Sequence, residues 1–531
     1  FGLAYDVFGT GKTVLRGSIG LYYDHPLLAV AFNSDIADAA QQQQAVLTAG
    51  SPSPTALLNA AQVFQGTVCP PGGGNPLCPM GVITPGVAPT AQYQFGRQRF
   101  NDQTFPGFGP VLPFVLPVAK DFQYAYAIQG NAAIEQQLTS NMSLTVSYLT
   151  VNARHLPHPT DLNTPNTTLQ IQNFQRFFGG ALPTSTQQAV AFSIATTAPG
   201  TPTGVGCFVV IPGMVAQCPT GRVVAPAIAN FFRPNAPNYF LAQALSGGAV
   251  TKAVLDSQLA GSLRTPGVLS PFGSVNAQVS DGNSSYNAMN VELKRRFANN
   301  FTFLATYTWS HSIDYSSDLQ TLLIAQDVNR LYLEKADSLF DQRHRFVFSG
   351  VLSSPRRWRK ADSWGKRFLA DFTVAPIIEI SSGRPFNILT NIDTNNDQST
   401  QTDRPDVLPD GTLCASNDPT IPAGQPCSLF DFDDQGNIIF GVGSLGRNRG
   451  ITHPYASVDL RLTRSFYFSE RVRVDLIAEG FNLFNRFNEA SAAPFFRAVN
   501  EVGQRKGGKY YSRPTAAFDQ RQFQLGLKIN F

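Results

Sequence analysis

The last ten residues of the chain, QFQLGLKINF at positions 522–531, alternate strictly between polar and apolar side chains. The apolar residues of the stretch are Phe523, Leu525, Leu527, Ile529 and Phe531. A period of two indicates a β-strand with one apolar and one polar face. The edge of a soluble sandwich would show the same pattern. The stretch also has the length of a strand that crosses a bilayer at a tilt, about 9–11 residues, with its apolar face on lipid and its polar face on a wet lumen.

Length and composition narrow the class of protein. A chain of 531 residues would ordinarily divide into several soluble domains, whereas a membrane barrel of this length forms one. The net charge of +4 is too small and too scattered to indicate nucleic-acid binding. No run approaches about 18 apolar residues, so no transmembrane helix is predicted. The chain opens on Phe1-Gly2-Leu3-Ala4-Tyr5, a strand pattern and not a signal peptide, which predicts a fragment or a processed form.

Further stretches with strand character bring the predicted number of strands to eleven. They are Gly2–Phe8, Thr13–Asp24, Asp121–Leu138, Met142–Tyr148, Met289–Lys294, Phe301–Ser310, His344–Leu352, Phe368–Ser382, Val458–Phe466 and Val472–Glu479, before the closing strand. Residues 25–120, 156–284 and 383–454 are predicted to be largely irregular. Short helices are predicted near Ile36–Leu47 and Phe240–Leu259.

The connections between these strands differ systematically in length. Short turns follow strands one, three, five and nine, a moderate connection follows strand seven, and long connections follow all the even strands. Outer-membrane barrels have short periplasmic turns and long extracellular loops. A soluble sandwich has no reason to place every long connection at one end. The pattern therefore predicts an all-β fold, a transmembrane antiparallel β-barrel with long extracellular loops.

Charged residues recur at alternate positions in the last strands. They are Asp459, Arg461, Arg473, Asp475 and Glu479, all predicted to face the lumen. Unpaired charge is expensive to bury, so the lumen should be wide and wet or filled by a polar plug. Eight-stranded barrels fill with side chains, whereas 22-stranded barrels hold a plugged lumen. Bacterial barrels have even strand numbers, so eleven strands predict an incomplete barrel. These charges could contact a plug, line a substrate path or simply be solvated.

The six cysteines fall into three local pairs, each in a Pro/Gly-rich stretch. The pairs are Cys69 with Cys78, Cys207 with Cys218, and Cys414 with Cys427. None has zinc-binding spacing. Three short disulfide loops made in an oxidising compartment are predicted, with unrelated free thiols as the alternative.

A calcium site is a candidate at Asp393, Asn395 and Asp397. Oxygen ligands at alternate positions resemble the start of a calcium loop, although the glycine and the distal glutamate of an EF-hand are missing. The alternative is a polar loop with Asx turns. No other cofactor is predicted. The sequence around Gly9-Thr10-Gly11-Lys12 lacks the first glycine of a Walker A loop, and residues 441–446 match G-x-G-x-x-G with no helix following. With the histidines scattered and no nucleophile motif present, no enzyme activity is predicted.

Several short motifs, spread in order along the whole chain, resemble the C-terminal barrel of TonB-dependent outer-membrane receptors of the Oar-like branch. They are Phe8–Gly17 (FGTGKTVLRG), Tyr307–Asp314 (YTWSHSID), Phe340–Phe346 (FDQRHRF), Gly383–Phe386 (GRPF), Asp403–Pro405 (DRP), Gly446–Asn448 (GRN) and Ala478–Asn485 (AEGFNLFN). The closing strand with its terminal Phe531 looks like the insertion signal of such barrels. The resemblance implies that residues 1–531 are the C-terminal half of a 22-stranded barrel in the bacterial outer membrane.

In that family a plug fills the barrel and an N-terminal box binds TonB, and Oar-like members carry a further regulatory-like domain. None of these parts is visible in the sequence. The resemblance implies a transporter that binds a substrate at its extracellular loops and passes it through the lumen. The implied partners are outer-membrane lipid, the TonB complex through the absent N-terminal part, the barrel-assembly machinery and an unknown extracellular substrate. The alternative is a surface adhesin that binds a partner through disulfide-pinned loops without transport. A passive porin and a soluble β-rich enzyme are disfavoured.

Overall fold

The computed structural model describes residues 1–24, 117–177, 180, 182–183, 192–195, 222–225, 275–317, 325–397, 399, 401–416, 418–469, 472–496, 504–506 and 508–531. The predicted helices Ile36–Leu47 and Phe240–Leu259 lie outside these residues.

Among the described residues, eleven long strands form one sheet. They are β1 (Gly2–Asp6), β2 (Thr13–Tyr23), β3 (Tyr126–Thr139), β4 (Met142–Asp161), β5 (Asn276–Ala298), β6 (Phe301–Asp314), β7 (His344–Ser353), β8 (Phe372–Ser381), β9 (Tyr455–Tyr467), β10 (Arg473–Phe481) and β11 (Gln522–Asn530). Each strand pairs antiparallel with its neighbours in the chain, and the described part of the sheet has β1 and β11 as its edges. A two-residue strand, Ala336–Asp337, adds to β6. The predicted strands are confirmed, but β4 and β5 extend well beyond their predicted bounds.

In the observed register, the alternating apolar side chains of neighbouring strands lie on the same face of the sheet. Val146 of β4 lies opposite both Ile134 of β3 and Val291 of β5, and Leu476 of β10 lies opposite Leu527 of β11. Residues that are directly opposite in a sheet point to the same side. Ile134, Leu476 and Leu527 are exposed, and Val146 and Val291 are partly exposed. Within the described residues, the apolar alternate residues therefore do not pack inward against a second layer.

The connections separate by length between the two ends of the sheet. Residues 7–12, 140–141 and 299–300 make short turns at one end, and only residues 468–472 separate β9 from β10 at the same end. The moderate connection between β7 and β8 lies at the same end and contains a 3-10 helix, Arg356–Lys360, and the short helix α2 (Trp364–Phe368). The five long connections leave and re-enter the sheet at the opposite end, because consecutive strands alternate in direction. The predicted two-ended asymmetry is confirmed. Within the described ranges no helix is long and apolar enough to cross a membrane.

Much of the long-connection end forms a compact structure. We call its described residues within 162–183, 325–343, 382–454 and 488–518 the loop cap. It contains α1 (Thr167–Phe177), a 3-10 helix, Leu331–Glu334, and short strands. The strands are Pro385–Phe386, Asp406–Val407, Leu413–Cys414, Phe430–Phe432, Ile438–Phe440, Gly450–Ile451, Glu489–Ala492, Gln504–Lys506, Lys509–Tyr511 and Pro514–Ala517. In a separate pair, Phe192–Ala195 lies antiparallel to Arg222–Ala225.

Two apolar clusters form the core of the loop cap. In one, Ile171 of α1 packs with Leu429, Phe430 and Phe440. The other consists of Ile388, Leu413, Leu445 and Tyr510. The expectation that residues 383–454 are irregular is wrong in this respect. Strands of two or three residues are too short to show a period, and their partners are distant in sequence.

Helix α1 was also not predicted. Asn166 caps it, since its side-chain Oδ1 accepts a hydrogen bond from the Leu169 N–H at 2.9 Å. A polar residue before a partly apolar stretch is a helix-start pattern, and it is the one local feature that could have revealed α1.

Candidate functional site: the polar sheet face and the loop cap

The polar face of the sheet carries charged side chains that form ion pairs with one another. Arg461 Nη1 of β9 lies 3.3 Å from Glu479 Oε1 of β10, and Arg473 Nη2 lies 3.1 Å from Asp475 Oδ2. Asp475 also accepts hydrogen bonds from Ser465 Oγ at 2.6 Å and from Asn530 Nδ2 at 3.1 Å. The structure thus brings four of the five charges predicted for the lumen into two pairs.

The fifth of these residues, Asp459, lies on the same face as Arg461 but makes different contacts. Its Oδ1 accepts hydrogen bonds from Ser457 Oγ at 3.0 Å and from the Asn482 N–H at 2.9 Å. Asp459 therefore fixes the chain where it leaves β10. Similar cross-strand ion pairs join Arg16 to Glu135 at 2.8 Å and Arg345 to Glu379 at 2.9 Å. The face opposite the apolar one is thus suited to contact water.

Phe523, Leu525, Leu527 and Ile529 lie on the exposed apolar face of β11, and Phe531 ends the chain fully exposed. Because β11 is an edge strand in the described sheet, its free backbone edge and its apolar face are both accessible.

A network of buried charges ties the loop cap to the end of β6. Arg404 Nη1 lies 2.9 Å from both carboxylate oxygens of Glu334. Arg447 donates from Nε to the Glu334 carbonyl at 2.8 Å and forms a short ion pair with Asp314, the last residue of β6. All four side chains are at most 10% exposed. Asp314, Arg404 and Arg447 belong to the motifs that carry the family resemblance, whereas nothing in the local sequence marked Glu334.

A second cluster of charges lies where two of those motifs meet. His311 Nε2 lies 2.9 Å from Asp337 Oδ1, and Arg343 Nη2 lies 3.5 Å from Asp337 and 3.4 Å from Asp341. Ligand atoms of His311, Asp337 and Asp341 lie within 4.8 Å of one another, a spacing that could suit a metal ion. Because the Arg343 guanidinium already offsets the two carboxylates, the cluster is better explained as an ion-pair network.

The glycine-rich stretch 441–446 packs tightly against other backbone. A Cβ on Gly443 would lie 1.8 Å from the Arg404 carbonyl oxygen, and one on Gly441 would lie 2.7 Å from that of Ser428. No helix follows in 447–454. These glycines therefore permit close packing within the loop cap, in place of the phosphate contact that a dinucleotide motif would make.

A disulfide bond joins Cys414 and Cys427, whose Cα atoms are 5.8 Å apart. The Asp406 carboxylate lies beside it and accepts hydrogen bonds from the Cys427 N–H at 2.8 Å, Ser416 Oγ at 2.7 Å and the Ser444 N–H at 2.9 Å. The other predicted pairs, Cys69 with Cys78 and Cys207 with Cys218, lie outside the described residues.

The predicted calcium residues lie beside a polar cavity of about 280 Å³. Asn395 and Asp397 line it and are largely buried. Asp393 is half-buried, and its Oδ1 accepts a hydrogen bond from the Asp397 N–H at 3.1 Å. The cavity is also lined by residues of 164–168 and by the acidic side chains Asp327, Asp433 and Asp434. One basic residue, Arg330, also lines the cavity and pairs with Asp327 at 2.7 Å, so the lining is acidic on balance.

Residues 1–524 match a family model described as the outer membrane beta barrel domain. The chain belongs to this family. Its fold is therefore that of an antiparallel barrel of the bacterial outer membrane, as the apolar and polar faces of the sheet predict. The comparison with curated proteins found no match.

Several solved structures are similar to this chain at low sequence identity. The outer membrane transporter YddB from Escherichia coli is 7% identical, with a TM-score of 0.39 and with 100% of this chain covered against 40% of that one. The ferric enterobactin receptor PfeA from Pseudomonas aeruginosa is 9% identical, with a TM-score of 0.36 and with 100% of this chain covered against 39% of that one. The ferric-catecholate import receptor Fiu from E. coli is 8% identical, with a TM-score of 0.33 and with 100% of this chain covered against 34% of that one. The chain thus spans 40% or less of each of these longer proteins.

Proposed function

We propose that these strands are part of the barrel of a TonB-dependent outer-membrane transporter, which binds its substrate at the loop cap and passes it through a plugged lumen. The observation that carries this proposal is the ion-paired polar face, with Arg461–Glu479 and Arg473–Asp475 on the side of the sheet opposite the lipid face. A face of this kind needs water or a polar plug beside it, because charge is costly to place against apolar surroundings.

The proposal includes a larger barrel than the described strands. Within the residues that the structure describes, the sheet is open, with β1 and β11 as its edges. Exposed edges favour aggregation, and barrels of this class have even strand numbers. Further strands of the full-length protein would pair with both edges. A lumen of about 22 strands is wide enough to require a plug. The apolar face of β11 with Phe531 would present the insertion signal to the barrel-assembly machinery.

The loop cap is the proposed binding region. Its two apolar clusters and its buried ion pairs hold the acidic cavity in one arrangement at the long-connection end. A preorganised concavity with a few polar groups is typical of a ligand site. The same rigidity would also suit an adhesin, which keeps that alternative open. We infer no chemical change of the substrate.

Growth of the source bacterium distinguishes the two functions. The gene for the full-length protein and the gene for the TonB energising protein are deleted separately, and growth is compared on a panel of single limiting nutrients. A transporter predicts that both deletions impair growth on the same nutrient, and that the impairment disappears when the nutrient is in excess. An adhesin predicts loss of surface attachment with no nutrient-specific defect, which would overturn the proposal.

A conductance measurement tests the plugged lumen. In a planar bilayer, the full-length protein should be closed at rest and should open to a large conductance when urea is added on the periplasmic side, since the plug unfolds more readily than the barrel. Continuous conductance without urea would indicate a passive porin and contradict the proposal.

A further inference from the structure

Three aspartates of the loop cap surround one short segment. Asp393 and Asp397 begin and end that segment, and Asp403 reaches it from six residues further along the chain. The Thr394 N–H donates to Asp403 Oδ2 at 2.5 Å, and the Asp397 N–H donates to Asp393 Oδ1 at 3.1 Å. The carboxylates of Asp393 and Asp403 are thereby held against this stretch of backbone, and Asp397 Oδ1 accepts a hydrogen bond from the Ser399 N–H at 2.7 Å.

Asp403 is fully buried, with 0% of its surface exposed. Within the part of the chain that the structure describes, its second oxygen, Oδ1, has no hydrogen-bond partner. The hydroxyl oxygen of Thr402 is likewise buried and lacks a partner there. A buried carboxylate oxygen without a partner costs considerable free energy. The site therefore contains buried oxygen atoms without hydrogen-bond partners among the described residues, Asp403 Oδ1 and Thr402 Oγ1, which a cation could bind. A bound cation would attract all three carboxylates, those of Asp393, Asp397 and Asp403.

The donor atoms select the kind of cation. The group offers carboxylate, amide and hydroxyl oxygens, which suit hard cations, and it includes neither cysteine nor histidine. Calcium takes six to eight oxygen ligands in flexible geometry, whereas magnesium requires a near-ideal octahedron. We propose that Asp393, Asn395, Asp397 and Asp403 form a calcium site, in which Asp403 supplies a ligand that the spacing of the sequence motif did not reveal.

The acidic cavity gives this site access to the external medium. Asn395 and Asp397 line the cavity together with Asp327, Asp433 and Asp434. Acidic side chains that line a concavity raise the local concentration of cations. Calcium would therefore enter through the cavity.

Calcium binding would also order the charge network of the loop cap. Asn395 Nδ2 donates to the Gln326 carbonyl at 2.6 Å, and Gln326 accepts from the Arg404 N–H at 2.9 Å and donates to the Gly443 carbonyl at 3.0 Å. Gln326 is buried and connects the site to the Arg404–Glu334 pair. The proposed role of calcium is thus to fix the loop cap, and it is independent of whether the barrel transports a substrate.

Calorimetric titration with CaCl₂ tests the site. The full-length protein is purified in detergent and treated with a chelator, which is then removed. We expect one saturable site with a dissociation constant of about 10⁻⁴–10⁻³ M, the range of extracellular calcium modules. Asp403→Asn and Asp393→Asn should each weaken binding at least about tenfold, since each removes a charged ligand. Asp410→Asn, the same charge change at an exposed position of the loop cap, should bind as the wild type does.

Protease digestion of the same proteins separates ligand loss from misfolding. In chelator, Asp403→Asn should resist digestion at least as well as the wild type, because it removes one of three repelling charges. Calcium should protect the wild type and Asp410→Asn but not Asp403→Asn. Wild-type protein with no saturable binding, or binding unchanged in both ligand variants, would overturn the proposal. Should Asp403→Asn prove poorly folded, binding by Asp393→Asn decides the matter: normal binding contradicts the site and weakened binding supports it.

Discussion

In the strands the large apolar side chains are exposed, whereas in the loop cap they are enclosed. Leu525 of β11 is 87% exposed, and Phe440 of the loop cap is 1% exposed. Both residues are apolar because both leave water, one into lipid and the other into a protein core. The sheet thus depends on its backbone ladder and on the surrounding bilayer, while the loop cap depends on its own packing as a soluble domain does.

Charged residues differ between the two regions in the same way. Arg345 and Glu379 form an ion pair on the polar face with both side chains substantially exposed. Arg404 and Glu334 form theirs inside the loop cap, where each is at most 5% exposed. Screening by water makes the first pair weak, whereas removing one partner of the second leaves a buried charge uncompensated. The energetic effect of losing an ion pair should therefore be large in the loop cap and small in the sheet.

The largest effect is expected for Glu334→Ala. It leaves Arg404 without its ion-pair partner, and breaking a buried pair costs about 3–5 kcal/mol. Arg447 keeps the Glu334 carbonyl and Asp314. We expect proteolysis of the loop cap in the full-length protein, while the barrel still shows the heat-dependent gel shift of a folded barrel. Glu334→Gln keeps the shape and removes only the charge, so it should fall between the wild type and Glu334→Ala. If the gel shift disappears when the loop cap is digested, the two regions do not fold independently and the prediction is wrong.

Leu462→Arg should have the next largest effect, on the sheet. Leu462 lies on the apolar face, opposite Val374 of β8 and Ala478 of β10. A charge on the lipid face near the bilayer midplane costs about 2–4 kcal/mol. Urea unfolding of the full-length protein in vesicles measures this cost. The matched control is Thr463→Arg, one residue along on the polar face, for which we expect little change. Equal costs at the two positions would refute the assignment of the faces.

A smaller effect is expected when one methyl group is removed from the core of the loop cap. The variant is Ile388→Val. Ile388 is fully buried beside Leu445 and Tyr510, and such a substitution in a core costs about 0.5–1.5 kcal/mol. Hydrogen exchange of the loop-cap amides should accelerate accordingly. Ile380→Val, at a position of β8 that is half exposed, should change exchange less because lipid can follow the altered surface. A larger effect at Ile380 would reverse the comparison.

The strands could be predicted because two solvents act on alternate residues. Leu462 is apolar because it faces lipid, and Arg461 is charged because it faces water. Since neighbouring residues of a strand face opposite sides of the sheet, the pattern can be recognised from a short stretch of sequence. The predicted strand begins too late in β5, at Met289, whereas β5 begins at Asn276. Its first part includes Ser284, Ser285 and Asn287. Where a strand extends beyond lipid, no apolar face is required and the alternation disappears.

The loop cap could not be predicted in the same way because its contacts are long-range. Glu334 meets Arg404 across 70 positions and Arg447 meets Asp314 across 133. The motifs of the family resemblance identified three of these four residues without indicating that they meet. The spacing in the sequence indicated Asp393, Asn395 and Asp397 as candidate ligands, whereas the proximity of Asp403 to Thr394 is seen only in the structure.

The smallest effect is expected for Glu379→Ala on the polar face of β8. Its partner Arg345 is half exposed, and exposed ion pairs contribute about 0–1 kcal/mol. The Arg345 guanidinium would remain in contact with water in a wide lumen, so urea unfolding in vesicles should change little and should become still less sensitive to the substitution as salt is added. A cost close to that of Glu334→Ala would mean that Arg345 is buried in the assembled protein. The polar face would then pack against a plug at this position. The sheet and the loop cap would in that case differ only in their apolar side chains, which face lipid in the sheet and a protein core in the loop cap.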